Sequence, residues 1–436
     1  MEKHDFIIIG GGIIGITTAL ELQAAGYGVL VVDRGGAGSG CSYGNAGHIA
    51  AEHIFPLATP ALLRALPGLL LQPNGPVSLK WRYLIKLMPW LVRFLLAARP
   101  SQVARSTEAI ASLNVGAIAA YESLDRRFGL DGLLKRDGTL VAYASTKGLE
   151  GAAREKEALA NFCIESELMD QKALGQFDPA LNPALKGGLY FPHSAHIKDP
   201  YALTQTLKAH FLALGGRVEE ADITHIEHRA KCTTVYSTDK VWRADKVVIA
   251  AGAHSHLLAR QLGYKIPLET ERGYHLDIPR PSVSPRVPTT FFEKRFVATP
   301  MRHTQMAVLR LAGRVEFGGL NAKMTLKQAL ALLPLGQDLL PELGGDDRHT
   351  RATETVTLSP QRATPDGVTP WMGFRPTLPD SLPVMGKAPK HDRIYFCFGH
   401  QHLGLTQAAI SARLMLGITT GFDAGIDVNP FRPDRF

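Results

Sequence analysis

The chain has 436 residues, is 45% hydrophobic and 20% charged, and carries a formal net charge of +8. Those proportions exclude a disordered or fibrous chain and suit a globular protein large enough for two domains. The positive charge is spread without a run of five like charges, which favours an acidic small molecule or a membrane surface over nucleic acid.

The first residues, Met1 to Asp5, do not form a signal peptide, and no window reaches the roughly 18 uninterrupted apolar residues of a membrane span. Asp5 to Ile9 is an apolar run expected as a strand buried on both faces. It leads straight into G-x-G-x-x-G, made by Gly10, Gly12 and Gly15 with Ile13 and Ile14 between them. Ile16 to Gly26 has helical spacing, with Gly26 placed as a C-cap. A second strand, Gly28 to Val32, ends in Asp33. Glycines there permit a tight turn and close approach of the backbone to a pyrophosphate, which rests on the positive end of the helix. Asp33 is placed to accept a hydrogen bond from an adenosine ribose hydroxyl. A lone glycine motif is weak, but strand, glycines, helix, strand and acid in register point to a dinucleotide site.

Arg34 to Ile49 is dense in glycine and small polar residues, including Ser42, Asn45, Ala46 and Gly47. Such a stretch lets backbone N–H groups converge on an anion, the alternative being a plain surface loop. Cys41 offers a thiol for covalent attachment of a cofactor, but a small buried thiol is the simpler expectation. With Cys163, Cys232 and Cys397 it forms no C-x-x-C pair. No metal site or disulfide framework is therefore expected, and a reducing cytoplasm is the simplest compartment. His48 is a residue type that titrates near neutral pH, either in an active site or as a packed or capping side chain.

From Ile54 to Gly132 the pattern is helical and broken by prolines, among them Pro56, Pro60, Pro67, Pro89 and Pro100. Within it, Trp81 to Ala98 carries Arg82, Lys86 and Arg93. Its simplest reading is a core-facing helix with solvated basic residues, and its alternative a basic amphipathic helix lying on a membrane. Ser106 to Phe128 is expected as one long helix, and Asp131 to Thr146 as a hairpin turning at Arg136-Asp137-Gly138. Gly148 to Asn161 is helical again. Asp199-Pro200 caps a helix over Tyr201 to Leu214, and Ile223 falls in a short strand. Val247 to Ala251, closed by Gly252, is a second buried strand ending in small residues. Four segments between Leu268 and Leu311 have strand character and suggest an antiparallel sheet, and Thr325 to Leu340 is helical. Finally Gly399-His400-Gln401-His402-Leu403-Gly404-Leu405-Thr406 opens a helix behind the strand Ile394 to Phe398. It is a second candidate anion-binding N-terminus.

Several motifs together resemble the amine-oxidising flavoprotein family that includes D-amino acid oxidase, glycine oxidase and sarcosine oxidase, and most of all its bacterial D-amino acid dehydrogenase branch. They are Ser42 to Gly47, Ala250 to Ser255, Arg272-Gly273-Tyr274, Gly373-Phe374-Arg375-Pro376 and Gly399 to Thr406. The resemblance implies an α/β fold: a discontinuous Rossmann-like FAD-binding domain over 1–55, 190–268 and 365–436. It also implies an α+β substrate domain on an antiparallel sheet over 56–189 and 269–364. It implies FAD as cofactor, held by Gly10, Gly12 to Gly15, Asp33, Arg34, Ser42, Asn45 to Gly47, Ile223, Ala251, Gly252 and Gly399. Leu403, Gly404, Leu405 and Thr406 are implied to place backbone donors at the flavin edge where negative charge collects on reduction. Arg375 matches the substrate-carboxylate arginine.

This sequence departs from the branch at His48, Gln401 and His402, which suggests a substrate other than a simple D-alanine-like amino acid, such as a hydroxylated D-proline. The expected chemistry is hydride transfer from an amino acid's carbon to flavin. Arg375 fixes the carboxylate, His48 assists with the amine proton, and Tyr274 and His402 line the site. The rival readings are an NAD-dependent dehydrogenase and a flavin-binding subunit without catalysis. The partners expected are a small amino acid, an electron acceptor left open among quinone, oxygen and an electron-transfer protein, and a membrane surface touched peripherally from the cytoplasmic side.

Overall fold

A strand that is apolar on both faces must be covered on both, and Lys3–Ile9 is the case around which the chain is built. In the computed structural model, which describes residues 3–71, 75–229, 231–345 and 367–436, this strand pairs in parallel with Val29–Asp33 on one edge and Val241–Ile249 on the other. Phe6 and Ile8 point into one core with Ile16, Leu20 and Ala408. Ile7 and Ile9 point into another with Leu258 and Phe396. The two-residue period of a strand thus feeds two separate apolar layers.

The sheet continues outward to Arg217–Glu220 beyond Val29–Asp33, and through Thr233–Tyr236 to His225–His228 on the far side. Ile394–Phe398 joins Val247–Ile249 in parallel and carries Val384–Lys387 with it. Helix Ile13–Ala24 packs against Gly404–Thr420 and Pro200–Ala213 over one face. The helix begins at Ile13, three residues before its expected start, so the glycine turn itself forms the N-terminus.

A second, nine-stranded sheet runs Thr369–Thr377, Glu269–Pro279, Met306–Phe317, Phe296–His303, Thr289–Phe291, Thr139–Tyr143, Gly187–Phe191 and Glu167–Asp170, with Val77–Leu79 beside Met306–Phe317. Most of its pairings are antiparallel, as expected. Three two- and three-residue strands, His48–Ile49, Ala195–Ile197 and Leu134–Lys135, form a small third sheet.

Several expectations need correction. Thr369–Thr377, within the 365–436 expected in the FAD-binding domain, pairs with Glu269–Pro279 in the second sheet while Trp371 to Phe374 line the cavity beside the first. The boundary at 364/365 itself falls outside the described residues. Residues 131–146 are not a hairpin: Leu134–Lys135 pairs with Ala195–Ile197, whereas Thr139–Tyr143 pairs with Gly187–Phe191. The turn at Gly138 passes the chain from one sheet to another. The helix expected over 106–128 is two, Pro100–Asn114 and Ala117–Phe128, parted at Val115–Gly116. Pro67 and Pro89 sit inside helices instead of breaking them.

Helix Leu84–Ala97 turns Leu87, Trp90 and Phe94 inward. Its outward side is not a solvated polar face. Ile85 is 85% exposed, and the adjoining Trp81 is 70% exposed. Met88, Val92, Leu95 and Leu96 are exposed beside them. Among the described residues no helix is long and apolar enough to cross a membrane.

Candidate cofactor and substrate site

A cavity of about 850 Å³ opens at the carboxyl ends of the parallel strands, where ligands settle in open α/β sheets. Gly10, Gly12, Ile13 and Ile14 line its floor. Gly15 does not line it; a β-carbon there would stand 1.9 Å from the Gly10 carbonyl oxygen, so this glycine lets helix and turn close on each other. The first-turn N–H groups of a helix have no partner within it. That of Ile13 is taken by Ser42 Oγ at 2.8 Å, while Gly12 and Ile14 remain at the cavity wall.

At one end Asp33 accepts from Gly11 N at 2.7 Å and Gly35 N at 2.9 Å. It shares this end of the cavity with Arg34 and Ile223. Arg34 Nη2 lies 2.5 Å from His254 Nε2. Burial first, and the Arg34 charge second, push the His254 pKa down to about 4, so its neutral ring can accept from the guanidinium. Ala251 and Gly252 line one side, and Gly399, Gly404 and Leu405 close the far end. The Leu403 N–H is not a free donor there, because it is taken by His400 O at 2.8 Å. The donors left for an anionic edge begin at Gly404, in the first turn of Gly404–Thr420. An acid for a ribose, a glycine floor at one helix start and a second helix start opposite form a donor set that fits a flavin dinucleotide.

A second cavity, of about 270 Å³, shares Cys41, Asn45, Trp371, Gly373 and Gln401 with the first. Arg375, His48, Tyr274 and His402 all line it, with Ala46, Leu403 and Thr406. Gly47 lines neither cavity: its carbonyl accepts from Ile197 N at 2.7 Å. The Arg375 guanidinium rests on Gly273, and its charge reaches the buried Glu271 opposite it in the strand register. Tyr274 is a wall and not a donor to the cavity, since its hydroxyl donates to Glu316 Oε1 at 3.1 Å. Glu316 in turn is paired with the fully buried Arg272.

His402 turns its ring into this cavity. The ring is open to this cavity, and the enclosing protein, followed by the nearby charges of His53, Arg375 and His48, lowers its pKa. The Cys41 thiol donates to Phe374 O at 2.8 Å and is pushed up to about 11, chiefly by burial. A protonated, bonded thiol is a poor nucleophile.

Other contributors were not legible in the sequence. Arg310 forks onto Asp277 at 2.7 and 2.8 Å and donates to the carbonyls of Tyr43 at 3.1 Å and Asn45 at 2.7 Å. A buried bidentate pair in the second sheet therefore holds the loop that borders both cavities. Trp371 stacks on His275 at 4.9 Å and fills the space above Gly44. Only the position of Trp371 just ahead of Gly373 hinted at a role.

Beside His48 lie Glu52 and His53. The three offer ligand atoms within 4.8 Å of one another, a spacing that suits a metal ion and was not foreseen. Both carboxylate oxygens are already engaged, however, with Thr139 Oγ1 at 3.1 Å and Ser194 Oγ at 2.6 Å.

Residues 5–417 match the family described as DAO, FAD dependent oxidoreductase. The chain is 31% identical over 443 residues to a D-amino-acid oxidase of Bradyrhizobium diazoefficiens, covering 100% of this chain and 99% of that one. It is 26% identical to a D-amino acid dehydrogenase of Vibrio atlanticus, covering 99% and 100%. Among solved structures, glycine oxidase from Geobacillus kaustophilus aligns over 100% of both chains with a TM-score of 0.73 at 19% identity. L-proline dehydrogenase from P. horikoshii aligns over 100% of this chain and 98% of its own, also with a TM-score of 0.73, at 17% identity.

Proposed function

From the premise that the chain belongs to the DAO family of FAD-dependent oxidoreductases, with FAD as its cofactor, we propose that it oxidises the carbon–nitrogen bond of a free amino acid. The D configuration is the one carried in the names of its full-length relatives. The nicotinamide alternative falls with the family assignment. One observation carries the proposal: the Arg375 guanidinium lines a small cavity that shares residues with the dinucleotide cleft.

The bound flavin supplies the hydride acceptor, and the protein supplies position and protons. Arg375 binds the substrate carboxylate through its planar fork. His48 takes a proton from the ammonium group, so that the nitrogen lone pair is available as the α-hydrogen leaves. Water then hydrolyses the resulting imine, unless the substrate is cyclic. Gln401, His402 and His53 add polar atoms to the walls, which favours a hydroxylated cyclic imino acid as the second reading.

Arg375→Leu tests the assignment. KM for the best amino acid in a panel is expected to rise about 100-fold while FAD stays bound, as befits loss of a charge-assisted pair. Unchanged kinetics would remove Arg375 from the substrate site.

The acceptor that reoxidises the flavin is oxygen, a quinone or an electron-transfer protein. The outward face of Leu84–Ala97 supports peripheral attachment to a membrane. Residues 53–107 contain no Asp or Glu, and the exposed apolar residues stand among exposed Arg82, Lys86, Arg93 and Arg99. An apolar face ringed by cations matches an anionic lipid surface.

A further inference from the structure

Three imidazoles stand in a row along the wall of the substrate cavity. The rings of His48 and His53 are 5.4 Å apart, and those of His53 and His402 are 6.0 Å apart. Among the described residues only the first has a carboxylate against it: Glu52 Oε1 lies 2.9 Å from His48 Nε2, an ion-pair contact that is not a hydrogen bond in this geometry. Glu52 is 3% exposed. Its oxygens accept from Thr139, on a strand of the second sheet, and from Ser194, in the turn before Ala195–Ile197. The carboxylate is thus gripped from two sides by groups that also fix its direction.

We infer that Glu52 is a positioning residue for His48. It keeps the His48 proton on Nε2, leaves Nδ1 as the nitrogen that takes up the substrate's ammonium proton, and balances the charge of the ring once that proton arrives. The inference rests on the amine-oxidising reading and assigns a proton path within it.

The proton balance is simple. The ammonium N–H bond breaks, its electron pair stays on the substrate nitrogen, and the proton forms a bond to His48 Nδ1. The ring becomes an imidazolium held between Glu52 and the substrate, and no electrons change hands. A carboxylate against one ring nitrogen fixes the tautomer and stabilises the cation that forms.

The surroundings select His48 for this task. Burial raises the Glu52 carboxyl, but the charge and contact of His48, the charge of His53 and the bond from Ser194 outweigh it, leaving a pKa of about 2. Glu52 is therefore ionised throughout the working range. Burial lowers the His53 pKa, with Glu52 opposing and His48 adding to the shift. His402, facing Arg375 and two other rings, is held neutral. On the strand paired with His48, His196 is matched to its own acid, with Nδ1 3.1 Å from Asp137 Oδ1. Glu155 is the further acid whose charge reaches Glu52. Of the histidines that line the cavity, His48 alone is in contact with a carboxylate among the described residues.

Glu52→Gln in the holoenzyme tests the idea, because it keeps the shape and removes the charge. At pH 7, kcat/KM is expected to fall 10- to 100-fold, and the acidic limb of its pH profile to move to higher pH. Activity should recover to within about threefold where the free amine is supplied by the solvent. In a His48→Gln background the same change is expected to add less than twofold, since the two residues act as one unit. A profile that falls in parallel at every pH, or full additivity, would reduce Glu52 to a structural clamp. If the Glu52 variant does not fold, ¹⁵N-histidine spectra of the wild-type holoenzyme, with the His48 signal assigned through His48→Gln, decide the matter. An Nε2–H tautomer is expected, and Nδ1–H overturns the proposal. Wild-type protein that no amino acid reduces would overturn the amine-oxidising reading instead, leaving the tautomer measurement still decisive for the pair.

Discussion

Arg375 stands opposite Glu271 in the strand register but lays its guanidinium diagonally over Gly273 of the same neighbouring strand, so close that a β-carbon on Gly273 would stand 2.6 Å from both Cζ and Nε. The guanidinium has that space because Gly273 has no side chain. Gly273→Ala is accordingly expected to displace Arg375 without removing it. KM for the amino acid should rise about 10-fold, less than for Arg375→Leu, with FAD content unchanged. Steady-state kinetics and the visible spectrum check this together, and a wild-type KM would mean that the guanidinium does not need that position.

Gly15 answers for the cofactor rather than the substrate. With its would-be β-carbon 1.9 Å from the Gly10 carbonyl oxygen, Gly15→Ala must push the glycine turn off the helix. The variant is expected to be isolated with less than about one-tenth of the normal FAD, because pyrophosphate binding depends on that close packing. The ratio of flavin absorbance to protein absorbance reports it.

The outward face of Leu84–Ala97 gives a separate prediction. Wild-type protein is expected to sediment with vesicles containing anionic lipid and to be released at high salt, as screening weakens the basic rim. Ile85→Asp combined with Trp81→Ser should weaken this binding at least 10-fold, on the scale of the apolar area withdrawn, and leave kcat/KM for a soluble acceptor as it was. Equal sedimentation of both proteins would rule out this helix as the contact.

Acid should destabilise the holoenzyme early. Burial pushes His275 and His400 down to about 3, whereas an unfolded histidine titrates near pH 6.5. Between those values the unfolded chain binds more protons, so stability falls as pH drops below about 6.5. Glu52, with a folded pKa of about 2, adds a loss that begins only as pH falls below about 4.5. Both signs agree. Tm is expected to be level above pH 7 and to drop on the order of 5 °C by pH 5. A level Tm down to pH 5 would contradict the buried-neutral state of these rings.

What could be read from the sequence was what local rules enforce. A glycine turn between an apolar strand and a helix has one common geometry, and Asp33 follows at the spacing of the next strand. Most residues expected at the cofactor end accordingly line one cavity, though Gly15, Ala46, Gly47, Leu403 and Thr406 do not. Arg375, His48, Tyr274 and His402 were also named in advance, and they do line one cavity. Their partners were not foreseen. Nothing near Tyr274 in sequence says that its hydroxyl is held by Glu316, 42 residues away. Arg310 reads as an intruder in an apolar strand until Asp277 and the carbonyls of Tyr43 and Asn45 appear around it. The supposed hairpin at 131–146 failed for the same reason, because strand alternation gives a face but not a partner. For the helix at 84–97, periodicity found the inner stripe of Leu87, Trp90 and Phe94, and the exposed apolar residues opposite bear on the membrane alternative that the sequence left open.

The central strand Val241–Ile249 lies between Lys3–Ile9, at the start of the chain, and Ile394–Phe398, near its end. During synthesis the first pair can meet once residue 249 of 436 has emerged, but the far wall of the cofactor cleft belongs to the last segments to leave the ribosome. Flavin capture is therefore a late event, and a chain that stops before Gly404 leaves the cleft open on one side with a strip of its sheet uncovered. Such a fragment would be a substrate for chaperones and proteases rather than a partial enzyme.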